Sequence, residues 1–261
     1  TGIKELREKV ALFEKEKLYA LFRYENMMHE LSAIKSTLSQ EGIHFMPLKG
    51  AVLRTYYPKQ YYRTSGDIDV LVKKTDFEKT AALLSEKLGY VQCERTTHDV
   101  SFSTPAKQTV ELHFGLVEDW GAGVVSSEVL DGVWEKAVPH KESRFRLDMT
   151  DEMFYFYHVA HMAKHFEHGG CGARAVIDLY VLDSIDGADV QCRDALLSSG
   201  GLLKFAEGMR RLYTAWLFGG ECDLVTEKLS DYILRGGIYG SYANRVGAAK
   251  REQKGRVSYL L

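Results

Sequence analysis

Gly66-Asp67-Ile68-Asp69-Val70-Leu71-Val72 decides how the rest of the chain is read; it closes the stretch MPLKGAVLRTYYPKQYYRTSGDIDVLV, residues 46–72. On a β-strand, residues two apart project from the same face, so a strand beginning at Asp67 holds the Asp67 and Asp69 carboxylates side by side. Two like charges a few ångströms apart repel and raise each other's pKa, and such a pair is usually kept where a cation neutralises it. A divalent metal is therefore the working expectation. A strand whose acidic end simply lies in solvent is the alternative that the motif by itself leaves open.

Working outward, Ile43 to Leu48 reads as a short strand, and Lys49-Gly50 turns it into a helical segment, Ala51 to Tyr57, which Pro58 stops. A glycine at a strand-to-helix turn lets backbone N–H groups approach an anion, and Lys49 adds charge there. Pro58 to Gly66 then delivers Arg63, Thr64, Ser65 and Gly66 directly before the acidic strand, donors suited to phosphate. Tyr56, Tyr57, Tyr61 and Tyr62 flank this loop; such a cluster is usually packing, although one ring is placed to stack on a base. Thr75-Asp76-Phe77-Glu78 reads as a capping box opening a helix to Leu88, closed by Gly89. Three strands follow, over 90–94, 98–104 and 108–116. In the last, Glu111 interrupts the apolar alternation Val110, Leu112, Phe114, a position a core would not choose. Either it faces water at an edge, or it joins Asp67 and Asp69 as a third carboxylate.

Upstream, apolar residues from Leu6 to Leu38 recur at helical spacing, predicting one long or two shorter amphipathic helices. Downstream of Ser126 the pattern is helical: a helix over 127–137, an extended piece over 144–147, and a helix capped by Thr150. Further helices are expected over 173–185, 190–198, 202–218 and 224–234. The expected organisation is an N-terminal helical segment, 1–41, an α/β core, 42–125, and a helical C-terminal domain, 126–261.

At 261 residues, with 45% hydrophobic and 27% charged, the chain has the composition of a soluble globular protein. Its 34 basic and 36 acidic residues leave a net charge of −2. That balance argues against a long nucleic acid or a membrane as partner, while the basic tail (Arg245, Lys250, Arg251, Lys254, Arg256) keeps a local patch open. Cys93, Cys171, Cys192 and Cys222 form no CxxC pair and read as reduced, mostly buried thiols of a cytoplasmic protein. The chain begins with Thr rather than Met, so a trimmed end is expected.

Several of these motifs, in this order, resemble the uncharacterised nucleotidyltransferase family of the polymerase-β-like nucleotidyltransferase superfamily. They are LKG (48–50), a short helix, Arg63, GDIDVLV (66–72), LGY (88–90), a hairpin, VELHF (110–114), HMAKHF (161–166) and RxxxD (174–178), and the likeness covers roughly residues 30–240. The resemblance implies an α+β fold, a mixed sheet with flanking helices followed by a helical domain, with the active site in the cleft between. It implies Asp67 and Asp69 as the two-acid motif and Glu111 as the third acid. Two Mg²⁺ (or Mn²⁺) ions on these acids would clamp a nucleoside triphosphate and activate the acceptor, with Lys49 and Arg63 neutralising the departing pyrophosphate. Lys49-Gly50 departs from the usual Gly-Ser pair and removes a hydroxyl that Ser65 or Thr64 would have to replace. His113, His161, Lys164, His165, Arg174 and Asp178 become candidate cleft or acceptor contacts.

Rival readings are weaker. His161 and His165, one helical turn apart and near His158 and His168, invite a zinc site, but no HExxH is present. Gly121-Ala-Gly123-Val-Val-Ser126 is a dinucleotide fingerprint without its last glycine or a βαβ context. Arg174 and Asp178, at i and i+4, fit a helix-surface ion pair as well as a cleft. Two functional classes stay open: an enzyme transferring NMP to a small molecule, sugar, peptide or protein, and a degenerate module that binds nucleotide, metal or a partner without turnover.

Overall fold

The computed structural model describes residues 2–116, 127–141, 143–167, 169–220 and 222–237. The motif at 121–126, His168 and the basic tail beyond residue 237 lie outside the described residues. The chain divides into two compact units, one of residues 1–118 and 138–148, the other of residues 119–137 and 149–261.

The first unit opens with one unbroken helix, α1 (Gly2–Gln40). From Ile3 to Gln40 its sequence holds no proline or glycine and is rich in Leu, Glu, Lys and Ala, the residues that lose least on entering a helix. Met27, Leu31, Ile34 and Leu38, at the 4-3-4 spacing of one helix face, are buried, whereas Leu6, Val10, Phe13 and Phe22 earlier in the helix are exposed. Gly42, at φ 70°, turns the chain out of the helix into β1 (Phe45–Pro47). The short α2 (Gly50–Leu53) and two 3₁₀ turns, Arg54–Tyr56 and Gln60–Tyr62, lead to β2 (Asp67–Val72).

Thr75 does not act as the helix cap. A 3₁₀ turn over Lys74–Asp76 precedes α3 (Phe77–Leu88), so the cap position falls on Asp76, which makes no side-chain capping bond. Thr80 Oγ1 instead donates to the Asp76 carbonyl at 2.8 Å. Gly89 closes α3 in the left-handed conformation, as its sequence position predicts. Strands β3 (Val91–Arg95), β4 (Asp99–Ser103) and β5 (Thr109–His113) complete a five-stranded mixed sheet in the order β1-β2-β5-β4-β3. The parallel pair is β2 with β5; the remaining neighbours run antiparallel.

That sheet sorts its side chains by the period of two. Ile68, Val70 and Val72 of β2, Val100 and Phe102 of β4, and Val110 and Leu112 of β5 pack in one core with Met27, Leu31, Ile34 and Leu38 of α1 and Phe77 and Leu84 of α3. Asp67 and Asp69, Asp99, Glu111 and His113 are the alternate residues, so they project from the face opposite these helices. Tyr90 ties the end of α3 to α1 by donating its buried hydroxyl to Glu30 Oε2. The extended piece expected over 144–147 is found shifted, as a bridge at Arg146 and β7 (Leu147–Asp148), which pairs with β6 (Val138–Pro139), and the Phe45 N–H donates to the Phe145 carbonyl at 3.0 Å.

The second unit is helical. Its first helix, α4, is shorter than expected, Ser127–Asp131, and is followed by α5 (Asp151–Glu167), α6 (Gly172–Asp183), α7 (Val190–Ser199), α8 (Leu203–Phe218) and α9 (Leu224–Gly236). Thr150 caps α5 through Oγ1, which accepts from the Met153 N–H at 3.3 Å. Arg193 is the buried tie of this unit. Its guanidinium donates to both carboxylate oxygens of Asp151, at 2.9 and 2.7 Å, and to the Leu182 carbonyl at 2.9 Å, while lying 4.5 Å from the Tyr155 ring centre. The cysteines are less buried than expected: Cys93, Cys192 and Cys222 are exposed, because they fall on an exposed strand, in a first helical turn and in a loop. None forms a disulfide. Among the described residues, no helix is long and apolar enough to cross a membrane.

Candidate active site

The parallel register of β2 and β5 sets Asp69 directly beside Glu111, with Asp67 beside Thr109. The antiparallel register of β5 and β4 sets His113 beside Asp99. Three strands thus bring acids and an imidazole onto one face, and Asp69, 1% exposed, is the deepest of them. Its Oδ1 accepts from Lys49 Nζ at 2.7 Å and lies 3.0 Å from His113 Nε2. Its Oδ2 is buried with no hydrogen-bond partner among the described residues. Lys49 Nζ also lies 3.6 Å, and His113 Nε2 3.5 Å, from Glu111 Oε2.

These placements govern the acidities. Burial drives the Asp67 carboxyl up to about 6, and the neighbouring Asp69 and Glu111 charges push the same way against Lys49. Burial also acts to raise Asp69, but the Lys49 ammonium and the His113 hydrogen bond outweigh it and hold that carboxyl well below the ordinary carboxylate range. Burial alone would lower His113; hydrogen bonds to Asp69 and Glu111 raise it instead. Asp69 and Glu111 face the Lys49 ammonium and the His113 imidazole, and the Arg54 guanidinium also acts on Asp67.

A divalent cation fits this donor set. Asp69 Oδ2 is a buried acceptor that a hard cation would satisfy, and carboxylate oxygens on two adjoining strands are the ligands Mg²⁺ and Mn²⁺ prefer. Asp69, Glu111 and His113 present ligand atoms within 4.8 Å of one another, with Asp67 beside them on β2.

Lys49 reaches this centre from a backbone at φ 43° and ψ −119°, a conformation that costs a side-chain-bearing residue about 1–3 kcal/mol. The next position must be glycine: a Cβ on Gly50 would stand 2.2 Å from Ser65 Oγ. Ser65 thus packs its hydroxyl against the glycine of the Lys49-Gly50 turn. Two buried arginines hold Ser65. Arg54 Nη2 donates to its Oγ at 2.9 Å while Arg54 Nε donates to the Gly50 carbonyl at 2.8 Å, and Arg63 Nη1 donates to the Thr64 carbonyl at 2.6 Å and the Ser65 Oγ at 3.4 Å. Arg54 also donates to Met27 Sδ. Burial, and then the proximity of Arg63, lowers the Arg54 guanidinium to about 10. Gly66, between these donors and Asp67, accepts from Gln108 Nε2 through its carbonyl at 2.7 Å.

Sequence reasoning passed over three residues here. Arg54 looks like the polar face of a short helix, and only its 1% exposure shows that it is structural to the turn. His98 and Asp99 carried no motif; the β4–β5 register brings them to His113.

The remaining candidates lie on the helices of the second unit. His161 and His165, on successive turns of α5, approach with 3.1 Å between their Nε2 atoms, and His158 Nε2 lies 3.1 Å from the Ala175 carbonyl. Lys164 is half-buried on the same helix. On α6, Arg174 is exposed and Asp178 is buried, at 1% exposure.

The sequence model of one family, described as uncharacterised nucleotidyltransferase, matches residues 6–218. The chain belongs to this family. The match takes in the Lys49-Gly50 turn, all three acids and the helices of the second unit as far as Phe218. A search of the curated proteins gives no match. Among solved structures, the antibiotic-resistance factor ANT(2'')-Ia is similar at 11% identity and a TM-score of 0.36, over 73% of this chain and 91% of that one. An antigenic nucleotidyltransferase-like protein from Paracoccidioides brasiliensis is similar at 11% identity and a TM-score of 0.42, over 75% of this chain and 98% of that one. Likenesses this distant carry no argument about chemistry, which rests on the family match and on the site itself.

Proposed function

We propose that this family member transfers a nucleoside monophosphate from a nucleoside triphosphate to an acceptor nucleophile on a small molecule, sugar, peptide or protein. The observation that carries this reading is the Asp69–Glu111 register with Asp67 on the same face, a three-carboxylate centre holding one buried, unsatisfied oxygen. Mg²⁺ or Mn²⁺, held by Asp67, Asp69 and Glu111, would supply charge neutralisation on the triphosphate and activation of the acceptor oxygen.

The chain's own residues would do the rest. Gly50, which has no side chain, lets Ser65 pack against the turn, and the Thr64-Ser65-Gly66 segment would offer hydroxyl and backbone donors to a phosphate. Arg63 and Lys49 would take up the negative charge that develops as the bond between the α-phosphorus and its bridging oxygen breaks and pyrophosphate departs. The acceptor's oxygen forms the new bond to the α-phosphorus, and Glu111, with 29% of its side chain exposed, is placed to take the acceptor's proton. The reading assigns this chemistry to the first unit and the choice of acceptor to the helical second, where His161, Lys164, His165, Arg174 and Asp178 are the proposed contacts.

A second reading, a module that binds nucleotide or metal without turnover, is favoured by one observation. The Lys49 ammonium, 2.7 Å from Asp69 Oδ1 and 3.6 Å from Glu111 Oε2, stands where a cation would bind. Incubation with α-labelled nucleoside triphosphates, Mg²⁺ and fractions of a cell extract separates the two. Label transfer with pyrophosphate release that Asp69→Asn abolishes supports the enzyme; nucleotide binding with no transfer to any fraction supports the module.

A further inference from the structure

Behind the acidic centre, on the far side of His113 from Asp69, lies a second cluster that the reaction above does not use. His98 stands at the entrance to β4, its carbonyl accepting from the Phe114 and Gly115 N–H groups at 2.9 and 3.2 Å, and Asp99 is registered with His113. We propose that His98, Asp99 and His113 form a separate site for a divalent transition metal of the Zn²⁺ class.

Three atoms converge. Asp99 Oδ2 lies 3.0 Å from His98 Nε2 and 3.7 Å from His113 Nδ1, and the three atoms lie within 4.8 Å of one another. Metal–ligand bonds of about 2.1 Å in a tetrahedron put neighbouring ligand atoms about 3.4 Å apart, between those two distances.

The other polar atom of each ligand is already engaged, in the way that metal ligands are oriented from behind. Thr96 Oγ1 donates its one hydrogen to Asp99 Oδ1 at 2.7 Å. His98 Nδ1 lies 3.1 Å from Thr96 Oγ1, which turns Nε2 towards Asp99 Oδ2. His113 Nε2 lies 3.0 Å from Asp69 Oδ1, which turns Nδ1 towards Asp99 Oδ2. Without a metal, ring protons hold this convergence together as His–Asp pairs, and a metal ion binding there would replace those protons.

Two imidazoles and one carboxylate select a borderline transition metal over Mg²⁺, so the site differs in metal class from the carboxylate-dominated centre beside it, with which it shares His113. The His98, Asp99 and His113 side chains are 11%, 14% and 5% exposed, enough to admit an ion and leave one coordination position to water. A metal there would fix the His113 tautomer and, through Nε2, the orientation of Asp69.

The test is titration of chelator-stripped full-length protein with Co²⁺, whose visible absorption reports coordination geometry, followed by displacement with Zn²⁺. One equivalent binding with the intense bands of a four- or five-coordinate ion is expected, any further Co²⁺ on the carboxylate centre being six-coordinate and weakly absorbing. His98→Ala should weaken binding about a hundredfold or more, and Asp67→Asn should leave it in place. Absence of saturable Co²⁺ binding in the wild type would overturn the proposal, as would binding that His98→Ala leaves unchanged or Asp67→Asn abolishes. None of these readouts involves a nucleotide, so failure here leaves the nucleotidyl-transfer reading standing, and failure of that reading leaves this one.

Discussion

Replacing Asp67 with Asn should stabilise the metal-free protein at pH 8. Its carboxyl sits at about 6 against an ordinary 3.8, because burial and the Asp69 and Glu111 charges disfavour the anion. A group raised in this way contributes stability that is complete below its unfolded pKa and is lost as pH rises through about 6. At pH 8 the wild type therefore carries the whole cost of the anion. At 1.36 kcal/mol for each tenfold in acidity that cost is about 3 kcal/mol, and about 2 kcal/mol once solvent screening at the partly exposed edge is allowed for. Asn keeps the shape and removes the charge. Thermal unfolding in excess chelator should show the variant melting about 4–8 °C higher at pH 8, with the gap closing towards pH 4. The same variant in saturating Mg²⁺ should lose its advantage, because the wild type then binds the ion and the variant does not. A variant no more stable than wild type at pH 8 in chelator, or a gap that does not close on acidification, would refute the electrostatic account of this centre.

Three further outcomes follow from packing and pairing. Gly50→Ala puts a Cβ 2.2 Å from Ser65 Oγ; chemical denaturation should show a loss of about 1–3 kcal/mol, partly recovered in Gly50→Ala with Ser65→Gly. Tyr90→Phe strips the buried Glu30 of its hydroxyl donor and should cost about 1–3 kcal/mol by the same assay. Arg193→Met leaves Asp151 and the Leu182 carbonyl without their donor, and should cost about 3 kcal/mol, read as a lowered melting temperature.

Much of this arrangement was legible in the sequence, and the residues show why. The β2 acids announced themselves because the strand period of two is local, and Glu111 because an acid amid the alternation Val110, Leu112, Phe114 has no reason to be in a core. The helix closed by Gly89 and the one capped by Thr150 were equally local. What the sequence did not show depends on register between strands far apart in the chain. Nothing in residues 96–99 says that Asp99 will face His113, because that follows from β4 lying antiparallel beside β5. Arg54 was hidden for a related reason: its partners, Ser65 and Met27, lie 11 and 27 residues away. The capping box at Thr75 failed because a 3₁₀ turn over Lys74–Asp76 moved the helix start by one residue.

The measurement that bears most directly on nucleotidyl transfer is thermal unfolding of the wild type and of Asp69→Asn against ATP, GTP, CTP and UTP, each with and without Mg²⁺, every shift taken from that protein's own baseline. A nucleotide at a hundredfold excess over its dissociation constant adds about 2.7 kcal/mol, several degrees for a chain of this length. The account predicts a shift with at least one nucleotide that requires Mg²⁺ and vanishes in Asp69→Asn. No shift with any nucleotide, or one that persists in full without Mg²⁺ and in Asp69→Asn, would contradict it.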